Sequence, residues 1–268
     1  MFNITRNGLD AITKELGVIS NNIANSATTA FKRSRTEFVD VYSKSLSDSP
    51  NSKRGLGSLM QGSKAVMQQG SALKTDGALD LNIIGRGFFI LSPKEGAEPR
   101  FTRDGSFTLG ANGDLLTMDG FNVAGYSGEN PNKNVALPIN IPLSAKSIEN
   151  KDVLLTGVKI SATGDIEATY GLNNTKNIGQ IGLARFSNET ALRSRGSNTF
   201  VASSKSGPQV IGSAMQGSFG QILSGTLESS NTDITQEMVA MLRTQQAFNG
   251  NARIMQTSLD VTRKLIDG

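Results

Sequence analysis

Apolar residues with a heptad spacing occur near both ends of this chain, and they constrain the fold more than any other feature. In each segment the apolar positions are alternately three and four residues apart, which predicts a helix with one narrow apolar stripe. The N-terminal stripe consists of Leu9, Ile12, Leu16, Ile19 and Ile23. The C-terminal stripe is longer, has two polar members, and consists of Ile234, Met238, Met241, Gln245, Phe248, Ala252, Met255, Leu259, Thr262 and Ile266.

The narrowness of the two stripes indicates what they pack against. A narrow stripe suits a helical partner better than a globular core, so the two helices are predicted to pair as a coiled coil with the middle of the chain looped out. The alternative is that each helix packs separately on the central part of the chain. Asp233 is the predicted N-cap of the second helix, with Gln236 as its partner in a capping box. Since two helices cannot cover all of each other's surface, further copies of the chain are natural partners.

The middle of the chain, about residues 80–225, is predicted to be rich in β-strands. The turn-forming pairs Asp104-Gly105, Asn112-Gly113 and Asp119-Gly120 have short apolar runs between them, which predicts successive tight hairpins. Gly164-Asp165 predicts another turn. Because the strands alternate with loops and not with helices, they are predicted to be antiparallel. The predicted strands are 88–91, 107–109, 115–117, 121–123, 153–160, 166–170, 178–186 and 199–202.

These patterns together predict an α+β fold, in which terminal helices paired as a coiled coil flank a central antiparallel β-rich domain. Residues 1–30 with 230–268 form the predicted helical domain. Residues 31–79 form an extended connector, rich in Ser, Gly, Asn and Lys as loops are. Residues 80–229 form the β-rich domain.

The amino-acid composition disfavours an enzyme. The chain has no Cys and no His, so it lacks disulfides, thiolate metal ligands and the side chain that most often acts as a base near neutral pH. An enzyme would have to use carboxylates, Lys, Tyr or Ser alone. A glycosidase with two carboxylates is one such enzyme, since that pair suffices for the reaction, and Ser-Lys chemistry is another, for which no pair of residues can be named. We predict no catalytic residue, no cofactor and no metal.

Two further patterns have a structural explanation. Gly85-Arg86-Gly87 lacks the third glycine of a dinucleotide-binding loop and predicts a turn before a buried strand at 88–91. Asp104, Asp114 and Asp119 do not have the spacing of a calcium-binding loop. Each of them lies beside a turn glycine, where Asp bonds the local backbone.

The charge pattern is mild and argues against several partners. The formal net charge is +4, and the basic residues of the segment 32–54 are interleaved with acidic ones. That pattern favours a solvated connector over a nucleic-acid site. No stretch reaches the roughly 18 apolar residues that span a bilayer, and the first residues lack the apolar segment of a secretory signal. We therefore expect a protein that stays in the cytosol or leaves it without a cleaved signal.

Three segments of the chain resemble the bacterial flagellar axial proteins, the rod and hook family. Residues 8–38 are similar to the N-terminal helix of that family and contain its Asn-Asn-hydrophobic-Ala-Asn motif at residues 21–25. Residues 79–91 with 101–126 are similar to its central signature, and residues 225–266 to its C-terminal helix. The three segments follow one another in the order that the family has.

The resemblance implies a structural subunit, carried out of the cytosol by the flagellar type III export apparatus and stacked helically into a tube across the periplasm. The terminal helices would line the tube as a coiled coil, with the β-rich domain outside. Its partners would be copies of itself and other rod or hook proteins. The residues expected at the assembly interface are Leu9, Ile12, Leu16, Ile19, Asn22, Ile23, Asn25, Met238, Met241, Phe248, Met255 and Leu259.

The chain departs from the family pattern at one position. The resemblance also leaves open whether the chain is a rod subunit or a hook subunit. Ala30 stands where the family usually has Gly, which disfavours a left-handed backbone there. The chain is short for a hook subunit, and residues 127–224 continue the same β-rich body, which favours a rod subunit. A hook subunit is the alternative within the family, and a secreted β-domain adhesin or carbohydrate-binding module is the alternative outside it.

Overall fold

The computed structural model describes residues 2–42, 55–92, 98–127, 137–146, 152–171 and 174–266. Over these residues the fold is α+β, as predicted, with a helix at each end and antiparallel strands between them. Helix α1 covers Phe2–Ala24 and helix α2 covers Ile234–Ile266. Both helices contain the heptad-spaced residues that predicted them.

The chain forms two compact units, which we call the helical unit and the sheet unit. The helical unit comprises the described residues within Met1–Ser26, Arg33–Val66 and Thr232–Gly268. The sheet unit comprises those within Ala27–Lys32 and Met67–Asn231. Each unit therefore contains segments that are far apart in the sequence.

In the helical unit, α1 packs against α2 and also against a β-hairpin. Strand β1 (Ser34–Tyr42) pairs antiparallel with strand β2 (Gly55–Ala65). The side chain of Asn7 on α1 donates a hydrogen bond of 3.1 Å to the carbonyl of Leu56 in β2. The sequence analysis assigned no strand to β1 or to most of β2, because their Ser, Gly and charged residues are typical of loops.

Helix α2 begins as predicted. The carboxylate of Asp233 accepts hydrogen bonds from the backbone N–H of Thr235, at 2.9 Å, and of Gln236, at 3.2 Å. These two N–H groups have no partner within the helix, so Asp233 is the N-cap. The last turn carries Arg263 and Lys264, whose positive charges interact favourably with the C-terminal end of the helix dipole.

The sheet unit contains the remaining strands. They are β3 (Ala72–Lys74), β4 (Leu81–Ile84), β5 (Phe88–Leu91), β6 (Arg100–Thr102), β7 (Phe107–Leu109), β8 (Leu115–Thr117), β9 (Val123–Ser127), β10 (Leu137–Pro138), β11 (Ser144–Lys146), β12 (Asp152–Ile160), β13 (Asp165–Tyr170), β14 (Asn174–Arg185), β15 (Arg193–Ser194), β16 (Thr199–Val201), β17 (Val210–Ser213), β18 (Gln221–Ser224) and β19 (Thr226–Glu228).

In the described part of the chain, eleven of these strands form one antiparallel sheet. The order along it is β11, β12, β13, β14, β9, β5, β6, β16 and β15, with β10 beside β9 and β17 beside β14. Three separate pairs, β4 with β18, β3 with β19 and β7 with β8, complete the unit. The predicted antiparallel arrangement is confirmed.

Strand β5 is buried on both of its faces, as the prediction of a buried strand at 88–91 required. All four of its residues are buried. Phe89 meets Phe107 edge to face in the main core, with ring centroids 5.0 Å apart. Its neighbour Phe88 lies in a second aromatic cluster with Phe186 and Phe200. Successive side chains of a strand point to opposite faces, so the two clusters lie on opposite sides of β5.

The predicted glycine turns occur where close approach of the backbone excludes other residues. A Cβ atom on Gly105 would lie 1.7 Å from the carbonyl oxygen of Leu81. Gly113 has a φ of +84° and would place a Cβ atom 2.0 Å from the oxygen of Ile141. Only glycine fits such positions. Asn112-Gly113 joins β7 to β8 in a hairpin, as predicted. Asp104-Gly105 joins β6 to β7, which pair with other strands and form no hairpin with each other.

Candidate assembly surfaces of the helical unit

The predicted apolar stripe of α1 is covered within the chain. Ile19 is buried, and the other four residues of the stripe (Leu9, Ile12, Leu16 and Ile23) are half-buried. Thr5 and Ala11 are also buried, although they lie outside the stripe. The hairpin and α2 together therefore cover more of α1 than the stripe alone.

The covered face of α2 overlaps the predicted stripe only in part. Met241 and Met255 are half-buried, whereas Met238 is 51% exposed and Leu259 is 49% exposed. Phe248 is also exposed, to 37%. The buried residues of α2 are instead Glu237 and Thr244, which keep the same three- and four-residue spacing around Met241.

A second apolar stripe on α2 is therefore left uncovered in the described chain. Ile234, Met238 and Leu242 follow one another at intervals of four residues, so they lie on one face. They are 48%, 51% and 58% exposed. The predicted seam contained two of these residues, because it mixed positions from the covered and the uncovered stripe.

Asn22, from the Asn-Asn-Ile-Ala-Asn motif, connects three segments of the helical unit. Its Nδ2 group donates to the carbonyl of Ser34, at 2.9 Å, and to Oε2 of Glu237, at 3.1 Å. Its Oδ1 atom accepts a hydrogen bond of 2.8 Å from the N–H of Ser34. Arg33 forms an ion pair with Glu237, with 3.6 Å between Nη1 and Oε1. The end of α1, the start of β1 and the start of α2 are thus held together by one buried side chain.

Asn25 and Ser26 directly follow the last residue of α1, Ala24. The backbone N–H and the side-chain Nδ2 of Asn25 both donate to the carbonyl of Asn21, at 3.1 and 2.9 Å. The hydroxyl of Ser26 donates to the carbonyl of Ile23 at 2.8 Å. These bonds satisfy carbonyl groups that the end of the helix leaves open.

The two helices run antiparallel, and α2 extends past the start of α1. Asn22 lies opposite Glu237, and Gly8 lies opposite Asn251, since a Cβ atom on Gly8 would be 3.4 Å from Nδ2 of Asn251. Residues later in α1 therefore lie opposite residues earlier in α2. This register leaves the last turns of α2 without α1 beside them. Their apolar side chains are exposed in the described chain: Leu259, Val261, Leu265 and Ile266.

A cavity of about 260 Å³ lies where α1, α2 and β1 meet. Its charged lining residues are Glu15, Arg33, Arg35 and Glu237, and its apolar ones include Val18 and Ile19. Burial raises the pKa of Glu15 above its usual value. The cavity is therefore a mixed polar and apolar recess on the helical unit.

The sheet unit holds a buried charge cluster that the sequence did not indicate. Glu228 is fully buried between Lys32 and Arg103. Its Oε1 accepts hydrogen bonds from Nζ of Lys32 and, at 2.9 Å, from the N–H of Gly70, and its Oε2 lies 3.5 Å from Nη1 of Arg103. Burial lowers the pKa of Lys32 and of Arg103, and the carboxylate of Glu228 opposes that shift in both. Glu228 thus compensates two buried cations, with a smaller contribution from the charge of Glu189.

Ala30 adopts the left-handed backbone that the sequence analysis disfavoured, so that prediction is wrong. Its φ is +55° and its side chain is fully buried. Its N–H donates a hydrogen bond of 2.7 Å to the carbonyl of Glu228, and the neighbouring carbonyl of Thr29 accepts one of 2.6 Å from Asn198. These contacts hold the turn in place against a conformational cost of about 1–2 kcal/mol for a residue with a Cβ atom.

Two aspartates of the central turns accept hydrogen bonds from other residues of the chain. Asp104 accepts hydrogen bonds from the N–H and the hydroxyl of Ser106, at 3.0 and 2.8 Å. Asp114 accepts one of 2.8 Å from Asn140, a more distant partner than predicted. Among the residues with described positions, no cluster of acidic side chains has the grouping of a metal site.

In the described part of the chain, neither helix is long and apolar enough to cross a membrane.

Two family models match this chain. The model described as the flagellar hook protein FlgE/F/G D1 domain matches residues 82–168, which belong to the sheet unit. The model described as the flagellar basal body rod FlgEFG protein C-terminal matches residues 223–267, which include α2. Both matches fall on segments that resembled rod and hook proteins in the sequence analysis.

Curated relatives match over almost the whole chain. The flagellar basal-body rod protein FlgG of Agrobacterium fabrum (strain C58) is 32% identical over 268 residues, which are 95% of this chain and 94% of that protein. The protein of the same name from Bacillus subtilis (strain 168) is 31% identical, over 97% of this chain and 95% of its own length. The flagellar hook protein FlgE of Helicobacter mustelae is 44% identical over 130 residues, which are 44% of this chain and 29% of that protein.

Proposed function

The chain belongs to the family of flagellar basal-body rod and hook proteins, and from this we propose that it is a structural subunit of the flagellar rod. The observation that carries the proposal is the match to FlgG rod proteins over 94% or more of this chain and of those proteins. The uncovered apolar stripe of α2 supports it, because a contiguous exposed apolar surface is typical of a protein that binds a partner. The proposed role requires no catalysis and no cofactor.

Copies of the chain would polymerise through their helical units. In this proposal α1 and α2 pair as a coiled coil within each subunit, and the stripe of Ile234, Met238 and Leu242 packs against a neighbouring subunit. The assembly role of the residues singled out from the sequence is part of the same proposal. Residues 1–30 with 230–268 would form the inner helical domain of the rod, residues 31–79 the connector, and residues 80–229 the outer domain.

The proposal extends to location and partners. The subunit would leave the cytosol through the flagellar type III export apparatus without a cleaved signal peptide, and would lie in the periplasmic part of the basal body. Its neighbours would be copies of itself and other axial proteins. The assembled rod would transmit torque and leave a channel for exported subunits.

A hook subunit is the second candidate, and one observation favours it. The 44% identity to a hook protein is higher than the identity to the rod relatives. That match covers only 29% of the hook protein, whereas the rod relatives match almost end to end. Coverage favours the rod because the remainder of the hook protein has no counterpart in this match.

Localisation in purified hook–basal bodies tests the proposal. Antibody labelling of the intact particle, combined with immunoblotting after the hooks have been removed, should find the chain in the basal body. Retention in the detached hook fraction alone would favour the hook instead. Absence from both fractions would exclude a role in the flagellar axis.

Substitutions on the two helices test how the subunit assembles. Replacing both Leu16 and Met255 with Asp should abolish incorporation, because both residues are half-buried where the helices pack. Met238→Asp should also abolish it while leaving the isolated chain folded, since Met238 is exposed. Ala247→Asp is the matched control, because Ala247 is exposed on α2 and lies on the side of the helix opposite Met238. Normal motility in cells that carry the Leu16 and Met255 double variant would contradict the proposal.

A further inference from the structure

The cavity where α1, α2 and β1 meet contains charges that form no ion pair with any described residue. Arg33 and Glu237 form an ion pair with each other. Glu15 and Arg35 also line the cavity, and in the described residues neither of them forms an ion pair. Glu15 is half-buried, so its carboxylate is partly removed from water without a positive partner, which is unfavourable.

The C-terminal end of α2 also carries an acidic and a basic residue without an ion pair in the described chain. Asp260 and Lys264 are one turn apart and therefore neighbours on one face of the helix. Both are exposed, and neither forms an ion pair within the described chain. Val261, beside them, is 58% exposed. This short face presents a positive charge, a negative charge and an apolar side chain, as the cavity does.

The two features cannot meet within one chain. Ala240 lines the cavity, and Lys264 lies on the same continuous helix. At about 1.5 Å of rise per residue, the two residues are about 36 Å apart along the helix axis. Whatever fills the cavity must therefore come from another molecule or from another part of this one.

We propose that the last turns of α2, residues 259–266, of one copy dock in the cavity of a second copy, with Lys264 beside Glu15 and Asp260 beside Arg35. This inference rests on the proposed function and names the contact through which copies would join. Val261 then packs near the apolar wall that Val18 and Ile19 provide. The two ion pairs join the four charges, Glu15, Arg35, Asp260 and Lys264, that form no ion pair among the described residues of one chain.

The position of the two surfaces determines the kind of assembly. They lie at opposite ends of the antiparallel pair of helices, since the cavity is beside Asn22 and Glu237 and the docking turns follow Asn251. A contact between two different surfaces of identical molecules leaves one surface of each kind free at the ends of the assembly. Such a contact adds subunits in one direction, so it produces a filament unless the rotation closes a ring.

Charge reversal in separate copies tests the contact. Two single variants, Glu15→Lys and Lys264→Glu, are prepared as full-length chains and compared alone and in a one-to-one mixture. Self-association is measured by sedimentation velocity over a range of concentrations, and incorporation by immunoblotting of basal bodies from cells that express one variant or both. Asp10→Lys is the matched control, because Asp10 is an exposed acidic residue of α1 outside the cavity lining.

Each single variant should associate about tenfold or more weakly than the unchanged chain, the ratio that corresponds to about 1.4 kcal/mol. The mixture should recover, since the carboxylate introduced at position 264 of one variant meets the ammonium group introduced at position 15 of the other, and the remaining contact is unchanged. Asp10→Lys should have no effect. A defect that the double variant repairs but the mixture does not would place the pair within one chain and overturn the inference, as would normal association of both single variants.

Two further results separate possible causes of failure. If Glu15→Lys does not fold, as judged by circular dichroism, Glu15→Gln replaces it, and a loss of association is then expected without recovery in the mixture. If the unchanged chain is absent from basal bodies, the proposed function fails, while sedimentation of the purified chains still decides whether this contact exists. If the chain is present there and the charge variants have no effect, only the docking contact is wrong.

Discussion

The Nδ2 group of Asn22 donates a hydrogen bond to Oε2 of Glu237, 3.1 Å away in space and 215 residues further along the chain. The same amide bonds both backbone groups of Ser34. Asn22 is only 2% exposed, so these bonds are shielded from water. A polar side chain that satisfies three segments at once fixes how those segments meet, because any other arrangement would leave buried groups without partners.

Replacing Asn22 with Ala should lower the free energy of unfolding of the helical unit by about 2–3 kcal/mol, since three hydrogen bonds are lost and one of them involves a charged partner. Chemical denaturation of the purified chain, followed by circular dichroism in the helical band, measures the change. The neighbouring Asn21 is exposed, and Asn21→Ala is the control, expected to change stability by less than about 0.5 kcal/mol. Equal effects at the two positions would show that the bonds to Ser34 and Glu237 contribute little.

The buried cluster of the sheet unit should respond very differently to the loss of its anion and of one cation. Glu228→Gln leaves Lys32 and Arg103 buried together with only the weaker charge interaction of Glu189, which should cost about 3–5 kcal/mol. Lys32→Met leaves Glu228 beside Arg103, so the remaining charges still compensate each other. The loss in that variant should be clearly smaller.

Thermal unfolding monitored by the near-ultraviolet signal of the tyrosines reports on this cluster, because Tyr126 and Tyr170 are buried in the sheet unit. Lys205→Met, which removes an exposed cation, is the control for a general effect of charge. The explanation in terms of charge compensation is wrong if Lys32→Met is as destabilising as Glu228→Gln.

Position 30 should tolerate Gly and reject β-branched residues. Ala30→Gly relieves a left-handed conformation but loses a buried methyl group, worth about 0.8 kcal/mol, so its net effect should be within about 1 kcal/mol. Ala30→Val adds two methyl groups where the first is already fully buried, and should cost more than about 2 kcal/mol. The midpoint of urea unfolding measures both, and a neutral Ala30→Val variant would contradict the positive φ at this residue.

The pH dependence of the helical unit should change when Glu15 is replaced. Burial raises the pKa of this carboxyl above its usual value of 4.5, so the folded chain holds its proton more tightly than the unfolded chain does. Above the pKa of the folded state the ionised group opposes folding, and this penalty disappears as the pH falls through that pKa. Glu15→Gln should therefore raise stability near pH 7, and its advantage should shrink in acid.

Denaturation midpoints at a series of pH values compare the two chains. The control is Asp10→Asn, which removes an exposed carboxylate of α1. An advantage of Glu15→Gln that is constant with pH would mean that the titration of Glu15 is not its cause.

Local sequence signals predicted those parts of the fold that local physics determines. The heptad spacing predicted both helices, Asp233 predicted the start of α2, and Asn112-Gly113 predicted the hairpin of β7 and β8. In each case the reason lies within a few residues, such as the bonds that Asp233 accepts from the N–H groups of Thr235 and Gln236. No long-range contact is needed to infer them.

The parts that were missed depend on partners distant in the sequence. Helix α2 has two adjacent apolar stripes, and contacts with distant segments, such as the bond from Asn22 to Glu237, accompany the covering of one of them. The polar strands β1 and β2 are supported by α1, which their own composition does not indicate. Ala30 is held in a left-handed conformation by the carbonyl of Glu228, almost two hundred residues away.

The separation of α1 and α2 in the chain also has a consequence for timing. Asn22 and Glu237 are 215 residues apart, and contacts between such distant segments form late because a long loop must close first. A chain that emerges from a ribosome, or passes lengthwise through a narrow channel with its N-terminus leading, presents α1 long before α2 is available. The helical unit can therefore form only after the 33 residues of α2 are available to pack against α1, however strong the helical propensity of α1.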